Sequence, residues 1–227
     1  MKNNSVPITL NIIIIVLTLF ATISMIIGFH FMDNSFEFSA TNLAAFKYFT
    51  VDSNILAGIA SLIYVLYIRS QRKLNSGNQK LVLPRWLSLF KLASTTGVTL
   101  TMMVTVCFLA PSSSRGFFAL FMNSNLFFHF IIPVLCIISF CFFESSEKIR
   151  FPQTLMGIIP MFLYSIYYSL NILLHMQNGQ IDFKYDWYGF LGGKLSNIWF
   201  VMPTIYIMTW LFSLLLWFGN KKIASRK

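Results

Sequence analysis

Phe46-Lys-Tyr-Phe-Thr-Val-Asp-Ser-Asn54 holds a lysine, a threonine, an aspartate and an asparagine, and the chain then runs apolar to Ile68. The run is long enough to cross a bilayer, so these polar groups open a membrane helix. Polar side chains at membrane depth are costly and tend to face the protein interior or a wet cavity, where they mark function. The rest of the chain is read by asking what meets Thr50 and Asn54.

The composition agrees with a membrane protein. The 227 residues are 56% hydrophobic and 11% charged, with mean hydropathy +0.69. A soluble domain carries roughly a quarter charged residues. Six apolar runs stand out, approximately at residues 8–31, 43–68, 87–110, 125–143, 154–174 and 198–218. Each is close to the ~20 residues a helix needs to span the hydrocarbon. The expectation is an all-α, six-helix integral membrane bundle, one transmembrane domain over residues 1–227. The first run is too long for a signal-peptide core and no small-x-small cleavage site follows it, so it is expected to stay as a helix.

The net charge of +10 follows topology and is not a nucleic-acid footprint. On one side lie Lys2, then Arg69, Arg72, Lys73, Lys80 and Arg85, then Lys148 and Arg150, then Lys221, Lys222, Arg226 and Lys227. The opposite loops hold Arg115, Lys184 and Lys194. The positive-inside rule therefore puts both termini in the cytoplasm. Frequent Ile, Asn, Phe and Lys suggest an AT-rich bacterial genome, hence a bacterial plasma membrane. The loop from Arg69 to Arg85 reads as a solvated basic connector. The loop from His175 to Asn197 contains Tyr-Asp-Trp-Tyr-Gly-Phe and reads as an aromatic cap at the interface, with a lid over a site as the second reading. Cys107, Cys136 and Cys141 sit in apolar runs without metal-like spacing and read as small buried hydrophobes, so neither a metal nor a cofactor is expected.

Several polar residues come to one level near the outer leaflet. Counted from the start of the second run, Thr50 lies about six residues in, roughly 9 Å deep, and His129 about four residues into the fourth run, roughly 6 Å deep. At ~100° per residue, Thr50, Asn54, Ala57, Gly58 and Ser61 share one helix face, whereas Asp52 falls about 200° from Thr50. Asn125, His129 and Pro133 share a face of the fourth segment. Tyr164, Tyr168, Asn171 and His175 form a stripe on the fifth, and His30 ends the first. Lys91, near the inner end of the third, is expected to snorkel to the interface. Ordinary structural roles exist for all of these. A membrane threonine commonly bonds its own helix or a neighbour, an intramembrane histidine can join two helices, and tyrosines pack with a satisfied hydroxyl.

The sequence Lys47-Tyr48-Phe49-Thr50, with Asn125-x-x-x-His129 and Pro133 one turn later, resembles the androgen-induced membrane protein family, which includes the androgen-dependent TFPI-regulating proteins and bacterial relatives. The resemblance implies a multipass threonine hydrolase of lipid esters, in particular fatty acid esters of hydroxy fatty acids. It places the nucleophile on Thr50 and the histidine on His129. Asn54, Asn125, Tyr168, Asn171 and His175 stand as supporting or substrate-binding residues. Asn54, Asn171 or Tyr168 would supply an oxyanion donor, and Asn125 would orient His129. The rival expectations are a small-solute or ion carrier or channel, with Asp52 as proton or cation ligand, and a non-catalytic lipid-binding protein. The expected partner is a membrane lipid or lipid ester.

Overall fold

The computed structural model describes residues 5–32, 40–74, 83–144 and 149–224. Lys2, Lys80, Lys148, Arg226 and Lys227, used above for the charge asymmetry, lie outside them. Among the described residues six helices are long and apolar enough to cross a membrane: α1 (Ser5–Ile27), α2 (Phe49–Leu74), α3 (Arg85–Leu109), α4 (Ser124–Phe143), α5 (Phe151–Leu174) and α6 (Leu195–Ile223). The described residues hold no β-strand, and isolated bridges such as Gln177–Gln180 are their only β features. The chain is an integral membrane protein with an all-α, six-helix bundle. Six crossings leave the start of α1 and the end of α6 on one side; the opposite end is the distal end.

α3 is the central post. Every residue from Lys91 to Thr101 is buried, and α3 packs against α2, α4, α5 and α6. A helix buried all round belongs in a core. Its small and hydroxylated residues let backbones approach closely. Thr96, Thr99 and Thr101 donate their hydroxyls to carbonyls one turn back, so burying them leaves no unpaired donor.

α1 ends earlier than its apolar run suggests. Gly28 takes a left-handed φ of 69°, and the Phe29 amide reaches back to the Ser24 carbonyl at 2.8 Å. This is a glycine-terminated helix end. His30 therefore lies beyond the helix.

α2 begins later than expected, and this changes the position of Thr50 in the helix. Asn42–Lys47 forms a separate 3-10 turn, Tyr48 is extended, and the α-helix starts at Phe49. Thr50 is thus the second residue of α2, not about six residues into a longer helix. The break is held by side chains distant in sequence. The Tyr164 hydroxyl donates to the Lys47 carbonyl at 2.7 Å, and the Tyr188 hydroxyl oxygen accepts the Phe49 amide at 2.9 Å.

α4 alternates between α and π geometry, with wide turns at Phe127–Ile131 and Ser139–Phe143. Pro133 accounts for the first. It has no amide to give the His129 carbonyl, and its ring crowds that carbonyl. The helix widens to accommodate it, and His129 sits in the widened turn. Such π-turns are frequent at functional sites.

Candidate functional site

Thr50 is 9% exposed and His129 is 1% exposed. α2 and α4 are neighbours at this level, and one amide joins them. Asn54 Nδ2 donates to the Thr50 carbonyl at 2.8 Å and to the Phe128 carbonyl at 3.1 Å. The turn bearing Thr50 is therefore bolted to the residue preceding His129. Both acceptors are carbonyls, which fixes the orientation of the Asn54 amide. Its Oδ1 is buried without a hydrogen-bond partner among the described residues.

This bond also removes Asn54 from the oxyanion donors expected above, because both of its N–H groups are already used. Tyr168 is removed in the same way: its hydroxyl donates to Asp186 Oδ1. Asn171 is half-buried toward the distal end of α5, with its side-chain oxygen unpartnered. His175 is exposed, bonds the Asn171 carbonyl through Nδ1 at 2.7 Å and stacks on Tyr185. The stripe expected on α5 divides accordingly. Tyr164, Tyr168 and Ile172 face the core, and His175 turns outward.

His129 Nδ1 lies 2.7 Å from the Leu120 carbonyl. A carbonyl only accepts, so Nδ1 carries the proton and Nε2 keeps a lone pair. Leu120 belongs to the 3-10 segment Phe117–Phe121 that leads into α4. The orienting group is thus a backbone carbonyl and not Asn125. Asn125 is itself buried in the first turn of α4. With Ser124, Asn123 and His30 it lines a small cavity between the end of α1 and the start of α4, apart from Thr50.

The Thr50 hydroxyl faces Tyr188, as does the Thr50 amide, and the Phe49 amide completes the set around the same phenol oxygen. Among the described residues no hydrogen bond joins Thr50 to the His129 ring. Tyr188 comes from the distal loop, whose Tyr-Asp-Trp-Tyr sequence turns inward. Asp186 is 2% exposed and accepts the Leu191 amide as well as the Tyr168 hydroxyl. Trp187 Nε1 donates to the Tyr164 hydroxyl at 3.0 Å. The loop is a packed cap over the start of α2 and not merely an interfacial anchor. Burial raises the Tyr188 phenol above the ordinary tyrosine range, so it remains protonated. The signal in the sequence was the aspartate between aromatics, a charge with no reason to be there unless paired.

A second polar centre lies toward the termini. Lys91 is 1% exposed and does not snorkel. Its Nζ contacts Glu144 Oε1 at 3.0 Å and Asn11 Oδ1 at 2.8 Å. Asn11 Nδ2 and Ser139 Oγ donate to the same Glu144 oxygen. Glu144 directly follows the apolar run Phe140–Phe143, and its role was not apparent in the sequence. Asp52 is only partly buried and lies outside both groups.

Comparison with protein-family models, with curated proteins and with solved structures returned no match. The described residues contain no group of three or more His, Cys, Asp or Glu able to hold a metal ion.

Proposed function

We propose that this protein is a membrane-embedded hydrolase of lipid esters, of the fatty acid ester of hydroxy fatty acid type or similar, with Thr50 as nucleophile and His129 as base. The observation that carries the reading is the Asn54 amide, which holds the Thr50 turn against the turn of a histidine whose Nε2 lone pair is set by the Leu120 carbonyl. A threonine hydroxyl is a weak nucleophile and requires a base within hydrogen-bond reach.

In this mechanism Thr50 Oγ bonds to the ester carbonyl carbon while its proton passes to His129 Nε2. The tetrahedral intermediate collapses, the bond to the alcohol oxygen breaks, and His129 returns the proton to that oxygen. Water then attacks the acyl-threonine with His129 again as base, releasing the fatty acid and restoring Thr50. An ester would enter sideways from lipid with its carbonyl near the distal interface.

The carrier reading draws on a different observation, the buried Lys91–Glu144 pair, since paired charges inside a membrane also mark solute and proton paths. Labelling by a fluorophosphonate probe in native membranes separates the two. A hydrolase labels as wild type and loses the label in both Thr50→Ala and His129→Ala. An unlabelled, folded wild type leaves the carrier reading standing, and Asp52→Asn and Glu144→Gln are then tested for loss of solute uptake.

A further inference from the structure

We propose that the phenol oxygen of Tyr188 sits in the oxyanion site of the Thr50 centre, and that the distal loop is a plug which substrate displaces. The inference rests on the hydrolase reading and supplies the donor set it lacks.

The first turn of α2 faces the Tyr188 oxygen with its donors. The Phe49 amide is 2.9 Å away, and the Thr50 amide and hydroxyl face the same atom. Both amides belong to the first turn of α2, a helix of 26 residues, and so have no acceptor within the helix. Its N-terminal end favours negative charge. A neutral phenol oxygen meets these donors with less energy than a developing oxyanion would. That difference is what lowers a barrier. The two amides belong to the nucleophile and to the residue before it, so they are positioned by the same turn that positions Oγ.

An independent observation points to a missing partner at this level. Asn54 is fully buried one turn along α2 from Thr50, and its Oδ1 accepts nothing. The departing alcohol and the hydrolytic water both bring an O–H that such an acceptor would take.

The plug is attached so that it can leave. It enters the bundle from a loop, not from a span. Its latch consists of Asp186 with the Tyr168 hydroxyl and the Leu191 amide, and Trp187 with Tyr164. Gly189 immediately follows Tyr188 with φ 68°, and Gly193 has φ 79°. Both are backbone states that side chains resist, and they lie just after the segment that would swing, on its C-terminal side.

The test is the rate of fluorophosphonate labelling in wild type, Tyr188→Phe and Tyr168→Phe, each with and without Thr50→Ala. In the labelling step Thr50 Oγ bonds to phosphorus, fluoride leaves, and the hydroxyl proton goes to His129. Tyr188→Phe keeps the ring and removes the competing oxygen. Tyr168→Phe keeps Tyr188 and loosens its latch, so it covers the case in which the first variant does not fold. The expected result is labelling about tenfold faster in both variants, because labelling scales with the open fraction, and no labelling when Thr50→Ala is added. Wild type that labels at Thr50, with neither folded variant faster, overturns the plug while leaving the hydrolase intact. No Thr50-dependent labelling in any folded protein, variants included, removes both.

Discussion

Lys91 Nζ and Glu144 Oε1 stand 3.0 Å apart with both side chains almost wholly buried, and they join α3 to the end of α4. Asn11 from α1 contacts both partners. The Ser61 hydroxyl of α2 is 3.4 Å from the ammonium. Four helices thus share one neutral, polar knot. Desolvating two charges is expensive, and their attraction offsets the cost only when the pair is complete.

The first prediction follows from that asymmetry. Lys91→Met leaves Glu144 buried without its ion-pair partner, and Glu144→Met does the same to Lys91. Each is expected to cost about 3–5 kcal/mol, whereas the double variant Lys91→Met/Glu144→Met regains much of the loss. Thermal unfolding in detergent measures this. Single variants as stable as wild type would show that the pair is not an energetic unit.

The second prediction concerns the bolt between α2 and α4. Asn54→Ala removes the donors to the Thr50 and Phe128 carbonyls and is expected to cost about 1–3 kcal/mol. Asn54→Asp sets a carboxylate against two carbonyl oxygens and is expected to cost more. On the hydrolase reading both variants also lose Thr50 labelling. Ser53→Ala is the control, because Ser53 touches the same Thr50 carbonyl at 3.2 Å but bonds α3, not α4. Equal losses in Ser53→Ala and Asn54→Ala would remove the special role of the α2–α4 contact.

The sequence made the spans legible because apolar length is a local property. The six helices lie where the runs are, and the distal level of Thr50 and His129 follows from them. What it could not show are features decided by distant partners. The late start of α2 depends on Tyr164 and Tyr188, more than a hundred residues away, which take up the groups freed at Lys47 and Phe49. Counting residues from the start of the apolar run therefore placed Thr50 more than a turn too far along the helix. Lys91 was assigned to the interface because its partner is one isolated acidic residue at the end of another span. Tyr188 was hidden because an aromatic, glycine-rich loop has no period from which to read which side chain turns inward.

Close approach of backbones provides a third prediction. Gly157 faces Ser213 of α6 and Thr96 of α3, and a methyl there would fall within the contact distance of the Ser213 side chain. Ser213 is held in place by its bond to the Thr154 carbonyl at 2.7 Å. Gly157→Ala is thus expected to destabilise the bundle by about 1–3 kcal/mol through overpacking. Ser213→Gly, which opens the space, should restore part of the loss in the double variant. A Gly157→Ala protein that unfolds at the wild-type temperature would mean that α5 and α6 shift apart without cost.

The last prediction concerns the proton on His129. The Leu120 carbonyl at 2.7 Å can only accept, so the neutral ring must hold its proton on Nδ1. Nitrogen shifts of histidine-labelled protein distinguish the two neutral tautomers and the cation. The chain has three histidines, so the His129 signals are those lost in His129→Ala. The expected spectrum has a protonated Nδ1 and a bare Nε2 at neutral pH. It should be unchanged in Thr50→Ala, because the carbonyl, and not the threonine, sets the tautomer. A bare Nδ1 with protonated Nε2 would leave the ring no lone pair for a nucleophile on the Nε2 side, and His129 could then only join helices. The measurement therefore tests the base before any substrate is known.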